Sequence, residues 1–150
     1  MHHSSSLATV YKNTMSTIQL KFLPDAFSVH QYDRNFQISQ DVLSAPWFTI
    51  SKTASELSLL LPTEYQIPDP QPKQTENGWR MFQVDAQMDF GLVGILARIV
   101  APLKDHKIPV FVVSTYDTDY VMVKDDKLTE AIKVLNDEPN MVVKPGESIL

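Results

Sequence analysis

The sequence has no cysteine. Disulfide frameworks, thiolate metal sites and cysteine nucleophiles are therefore excluded together, and a reducing compartment suits the composition. Glycine is scarce, four in 150 residues, and none lies in the first half, so a close backbone approach to a ligand is expected only in the second. Long apolar runs are missing too. The densest, Phe90 to Leu103, is interrupted by Gly91, Gly94, Arg98 and Pro102, which is too short and too broken to span a bilayer. No cluster of Lys and Arg is present that would track a phosphate backbone, and net charge is −5 with a pI of about 5.2. A nucleic-acid partner is not expected, nor a membrane one. Residues 1–15 lack the charged start and apolar stretch of a secretory leader, and are expected to be a disordered beginning.

Catalytic and metal signatures are equally sparse. The sequence contains no G-x-S-x-G, H-E-x-x-H, Walker or G-x-G-x-x-G pattern. His30 with Asp33, and Asp105 with His106, are the local acid–histidine pairs, and neither has a third partner at metal-ligand spacing. Both histidines are expected at the surface. No catalytic residue, metal or cofactor is assigned.

What is present is a patterned globular chain, 43% hydrophobic. Pro62, Pro68, Pro70 and Pro72, with the polar residues around them up to Gly78, are expected to form neither a central strand nor a stable helix. The predicted organisation is a first half over 16–66, a Pro-rich linker over 67–78, a second unit over 79–144 and a tail over 145–150.

The second unit reads clearly. Residues 79–84 suit a strand. Asp89 can cap a helix from Phe90, with Leu92, Leu96, Ile99, Val100 and Leu103 on one face. Residues 110–123 form a hairpin turned by 115–118. Leu128, Ala131, Ile132 and Leu135 mark a second helix capped by Asp125 or Asp126, Pro139 follows it, and Met141 begins a last short strand. The order is β-α-β-β-α-β, the ferredoxin-like α+β unit. In the first half, 18–23 and 26–32 look like strands. Residues 48–60 overlie 111–123 without a gap at an offset of 63 (111 − 48), which sets Glu56 against Asp119. A hairpin thus occurs twice, and the first half lacks a strong first helix.

Three segments carry a resemblance to a known family. They are Glu56, Leu57 and Ser58; the run Asp89-Phe90-Gly91-Leu92-Val93-Gly94-Ile95-Leu96-Ala97 with Pro102 and Leu103; and Ser114-Thr115-Tyr116-Asp117-Thr118-Asp119-Tyr120. The second half resembles the ACT domain, and the chain from about Thr17 to Asn136 is similar to the CASTOR/ACT subfamily, with two ACT-like halves, the first degenerate. The resemblance implies a cytoplasmic, regulatory, aspartokinase-like module that binds a free amino acid, forms a homodimer and reports to a protein partner.

Charge complementarity suggests where the ligand would sit. A zwitterion needs donors at one end and acceptors at the other. The main chain of Phe90, Gly91, Leu92, Val93 and Gly94, at the helix start that Asp89 opens, would take the carboxylate. Ser114, Thr115 and Asp119 would take the amino group. The plainer readings are an ordinary helix cap with tight packing and a solvated hairpin tip. The rival functions are a ligand-free dimerisation or structural module and a small ferredoxin-like enzyme.

Overall fold

In the computed structural model, which describes residues 17–85 and 94–150, one 15-residue strand organises the rest: β1, Ile18–Tyr32. The chain continues through a single helical turn, α1 (Gln40–Leu43), and a hairpin of β2 (Thr49–Lys52) and β3 (Leu57–Pro62). Then come β4 (Gln74–Val84), α2 (Ile95–Asp105), a second hairpin of β5 (Phe111–Ser114) and β6 (Asp119–Lys124), α3 (Leu128–Asn136) and β7 (Met141–Pro145). All seven strands join one sheet in the order β2-β3-β1-β4-β6-β5, with β7 paired to β1.

The β-α-β-β-α-β order expected of the second half is there, but its sheet has a guest. The N-terminal part of β1 lies between β4 and β7, antiparallel to the first (Leu20 opposite Val84) and parallel to the second (Ile18 opposite Met141). The alternation explains this placement. Ile18 and Leu20 of β1, and Met141 and Val143 of β7, point to one face. There they join Ile99 and Leu103 of α2 and Ala131 and Leu135 of α3 in one buried core. Truncating Leu103 to Ala would cost about 2–5 kcal/mol. The expected strands 18–23 and 26–32 are this one continuous element, its pairing with β4 irregular between Phe22 and Ala26.

Three further expectations are corrected. The predicted linker reaches only to Lys73, because β4 begins at Gln74 and is central, bonded to both β1 and β6. The strand takes Asn77 and Gly78 by bulging. Phe27 faces Trp79 and Val29 faces Glu76, so two residues stand opposite Ser28 alone, and Gly78 sits at φ +83 as such a bulge requires. Ser28, fully buried, donates to Asn77 Oδ1 at 2.6 Å and bonds Thr63 at 2.7 Å. Pro62 closes β3 opposite Phe27. Neither Asp125 nor Asp126 caps α3: both lie in a 3-10 turn before it without a capping bond, and Asp125 instead accepts from Arg80 at 2.9 Å. His30 is buried, its Nδ1 bonded to Thr75 Oγ1 at 2.8 Å, because β1 is covered on both flanks.

The other face of the sheet holds Phe27, Leu60, Trp79, Met81 and Met122. Trp47, just before β2, makes edge contacts with Phe27 of β1 (5.2 Å) and Tyr120 of β6 (5.4 Å). One indole thus ties the first hairpin's entry to the far side of the sheet, and the sheet curls around it.

Candidate functional site

The two hairpins share a turn. Thr53 N donates to Glu56 O at 2.9 Å, and Thr115 N to Thr118 O at 2.8 Å. In each turn the threonine hydroxyl accepts from the amide three residues on, Glu56 N at 3.2 Å and Thr118 N at 3.3 Å. The structural offset is therefore 62 (115 − 53), one less than the gapless overlay. A slip of one residue in a strand reverses every side chain, so Glu56 is the counterpart of Thr118, and Leu57 that of Asp119.

Asp119 opens β6 directly opposite Ser114, the last residue of β5. It is 6% exposed, and Ser114 Oγ donates to its Oδ1 at 2.5 Å. No cation pairs with it among the described residues. Thr115 Oγ1 donates to Thr118 O at 3.1 Å within the turn, so this hydroxyl shapes the loop. Thr118, which the sequence pattern left as a plain turn residue, is also buried, and its hydroxyl donates to the Val84 carbonyl at 2.7 Å. That bond draws the second turn against the C-terminal end of β4.

Gly94 stands at the start of α2 with φ +86, and the Arg98 amide donates to its carbonyl at 3.0 Å. An added Cβ would meet nothing within 4 Å. A side chain there would strain the backbone and fill no contact. Asp89, Phe90, Gly91, Leu92 and Val93, the other members of the expected donor loop, lie outside the described residues.

The curl of the sheet brings its two end strands to one cavity of about 430 Å³. Thr49 and Ser51 of β2 line one side, Val113 and Ser114 of β5 the other. A second cavity of about 490 Å³ holds Glu56, Gln74 and Glu76, and the two share Val29 and Ser58 as walls. Glu56 accepts from the Ser58 hydroxyl, and Glu76 pairs with Lys124 at 3.0 Å. The first hairpin, expected to be only structural, thus borders the same cavity as Ser114. Burial holds the His30 imidazole below its ordinary pKa and pushes the Tyr32 phenol above its own. No cluster that would hold a metal ion occurs among the described residues.

Residues 74–137, from β4 through the end of α3, match the model of the ACT domain. This stretch is an ACT domain. Ser114, Thr115 and Asp119 fall within it, and Glu56 outside. The human cytosolic arginine sensor for mTORC1 subunit 1 is 27% identical over 100 residues, and the mouse protein 29% over 97. The alignments cover 61% of this chain and about 30% of those relatives, so the chain matches under a third of their length. Among solved structures, a protein from Agobacterium tumefaciens superposes with a TM-score of 0.76 at 23% identity, covering 88% of this chain and 96% of that one. The aspartokinase alpha and beta subunits give 0.58 at 13%, covering 81% and 97%. Likeness at these identities shows the fold. This ACT domain is homologous at low identity to part of an amino-acid sensor.

Proposed function

We propose that this protein binds a free amino acid at the junction of the β5–β6 turn and the start of α2, and reports it to another protein, without catalysis. The observation that carries the reading is Asp119: a buried carboxylate with a hydroxyl partner and no cation among the described residues. Burying a charge unpaired is costly. An α-ammonium group would complete it, and the Ser114 hydroxyl is already in place. The Thr118 bond to Val84 supports the second half of the proposal, since it holds this turn beside the strand that leads into α2. The Gly94 end of α2 then offers main-chain donors to the ligand carboxylate. The relatives' printed name, a cytosolic arginine sensor, agrees with an amino-acid ligand and with a cytoplasmic setting.

Regulation would follow from population shift. ACT units paired in a homodimer would hold one relative orientation more firmly when ligand bridges them, and a partner that prefers one orientation reads the difference. Calorimetry against the twenty amino acids, on the wild type and on Asp119→Asn, tests the site. One amino acid should bind the wild type and bind the variant about ten- to a hundredfold more weakly. Absence of any binding would leave a dimerisation module in its place, and undiminished binding by the variant would remove Asp119 from the site.

A further inference from the structure

A cavity of about 510 Å³ lies between α2 and the connection from α3 to β7. Its charged lining is Arg98 and Asp105 of α2 and Glu138 of the connection. Among the described residues none of these three is in an ion pair. Their separation explains this. Arg98 and Asp105 are seven residues apart, so they lie on one helix face two turns apart, about 10 Å along the axis. Between them the wall is apolar: Ala101 and Pro102 on the helix, Pro139 and Met141 opposite.

The guanidinium is already aimed. One of its nitrogens donates to the Asn140 carbonyl at 3.3 Å, and Asn140 holds a left-handed φ of 57, an uncommon conformation for a residue other than glycine. Its remaining N–H donors suit a carboxylate. Pro102 makes no helix hydrogen bond to the Arg98 carbonyl, having no N–H to give. A cationic end, an apolar floor and an acidic end in line ask for a ligand of the reverse polarity.

We infer that this cleft binds an elongated ω-amino carboxylate, its carboxylate on Arg98, its aliphatic chain over Ala101, Pro102, Pro139 and Met141, and its ammonium between Asp105 and Glu138. The inference does not rest on the Ser114–Asp119 reading. The start of α2 serves that site, and Asp105 lies eleven residues, about 16 Å of helix, beyond Gly94. Free lysine carries the required groups, and so does a lysine at the C-terminus of a peptide.

The test is an NMR titration of the full chain with 6-aminohexanoate, following the amide signals of the non-proline residues in 98–105 and 138–141. Saturable shifts at millimolar ligand are expected there, with hexanoate and hexylamine each binding at least about tenfold more weakly, because each lacks one charged end. Glu138→Gln and Asp105→Asn, changes at side chains outside the core, should each weaken binding several-fold with unchanged melting. Arg98→Gln should weaken it more. Lysine and N-acetyl-lysine separate the two sources: only a site that accepts a peptide end tolerates the acetyl group. The inference is overturned if no shift saturates in these segments, if hexylamine or hexanoate binds as well as 6-aminohexanoate, or if Asp119→Asn, which is not in the cleft's lining, removes the signal.

Discussion

The β2–β3 and β5–β6 hairpins turn through the same four-residue loop with the same threonine hydroxyl bonds, yet the residue that follows differs in kind. It is Leu57 in the first, 4% exposed, and Asp119 in the second, 6% exposed. Leu57 packs with Tyr32, Val42, Leu59 and Leu61 in its own apolar cluster. The architecture of the turn is therefore satisfied by a leucine, and nothing in hairpin geometry calls for an acid. A buried carboxylate at that position costs stability where leucine would add it.

Exchanging the two residues breaks the comparison most sharply. Leu57→Asp is expected to destabilise the protein by about 3–5 kcal/mol, since it loses core packing and buries a charge with no partner. Urea unfolding with an unchanged m-value measures this, and a loss below about 1 kcal/mol would mean that the first hairpin tolerates acid as the second does. The reverse change, Asp119→Leu, is expected to abolish amino-acid binding by calorimetry while thermal unfolding stays level or rises. A marked fall in melting temperature would show that the carboxylate holds the hairpin together.

Smaller substitutions sharpen the contrast. Thr53→Ala and Thr115→Ala each remove the same turn bonds and should each cost about 1 kcal/mol. Equal losses confirm the structural equivalence, and only the second is expected to weaken ligand binding, through the loop that presents Ser114. The smallest effect is a pH dependence on the first hairpin's side, where His30 stands opposite Leu59. Its folded pKa is lowered by burial, so the unfolded chain takes up more protons. Stability is then full above the unfolded value of about 6.5 and declines as pH falls below it. Replacing His30 with Gln should flatten unfolding curves between pH 7 and 5, and an equal slope in the variant would place the dependence elsewhere.

Much of this fold is legible in the sequence. The face of α2 formed by Leu96, Ile99 and Leu103 and that of α3 formed by Leu128, Ala131 and Leu135 follow from helical spacing, and the hairpins from alternation between turn residues. What escapes is set by contacts distant in sequence. The first five residues of β4 look like linker because a polar, glycine-containing stretch becomes strand only when β1 supplies a partner that accepts a bulge at Ser28. His30 looks exposed because its cover comes from β3 and β4. Ser114 and Asp119 stand out by residue type, but their supposed match to Ser51 and Glu56 is one residue out of step. Turn hydrogen bonds decide that register, and a comparison of residue types without them cannot. Thr118 carried the signal of a hydroxyl at a turn's end and nothing to mark its reach to Val84.

The insertion of β1 between β4 and β7 bears on how the protein is made. Ile18 bonds the Asn140 carbonyl at 2.8 Å and begins the parallel pairing with Met141. A strand that leaves the ribosome ahead of every other described element thus finds one neighbour only after all the rest have been synthesised. Parallel pairing across such a separation closes slowly. Until β7 is made, the edge of β1 that it covers has no partner in the finished sheet.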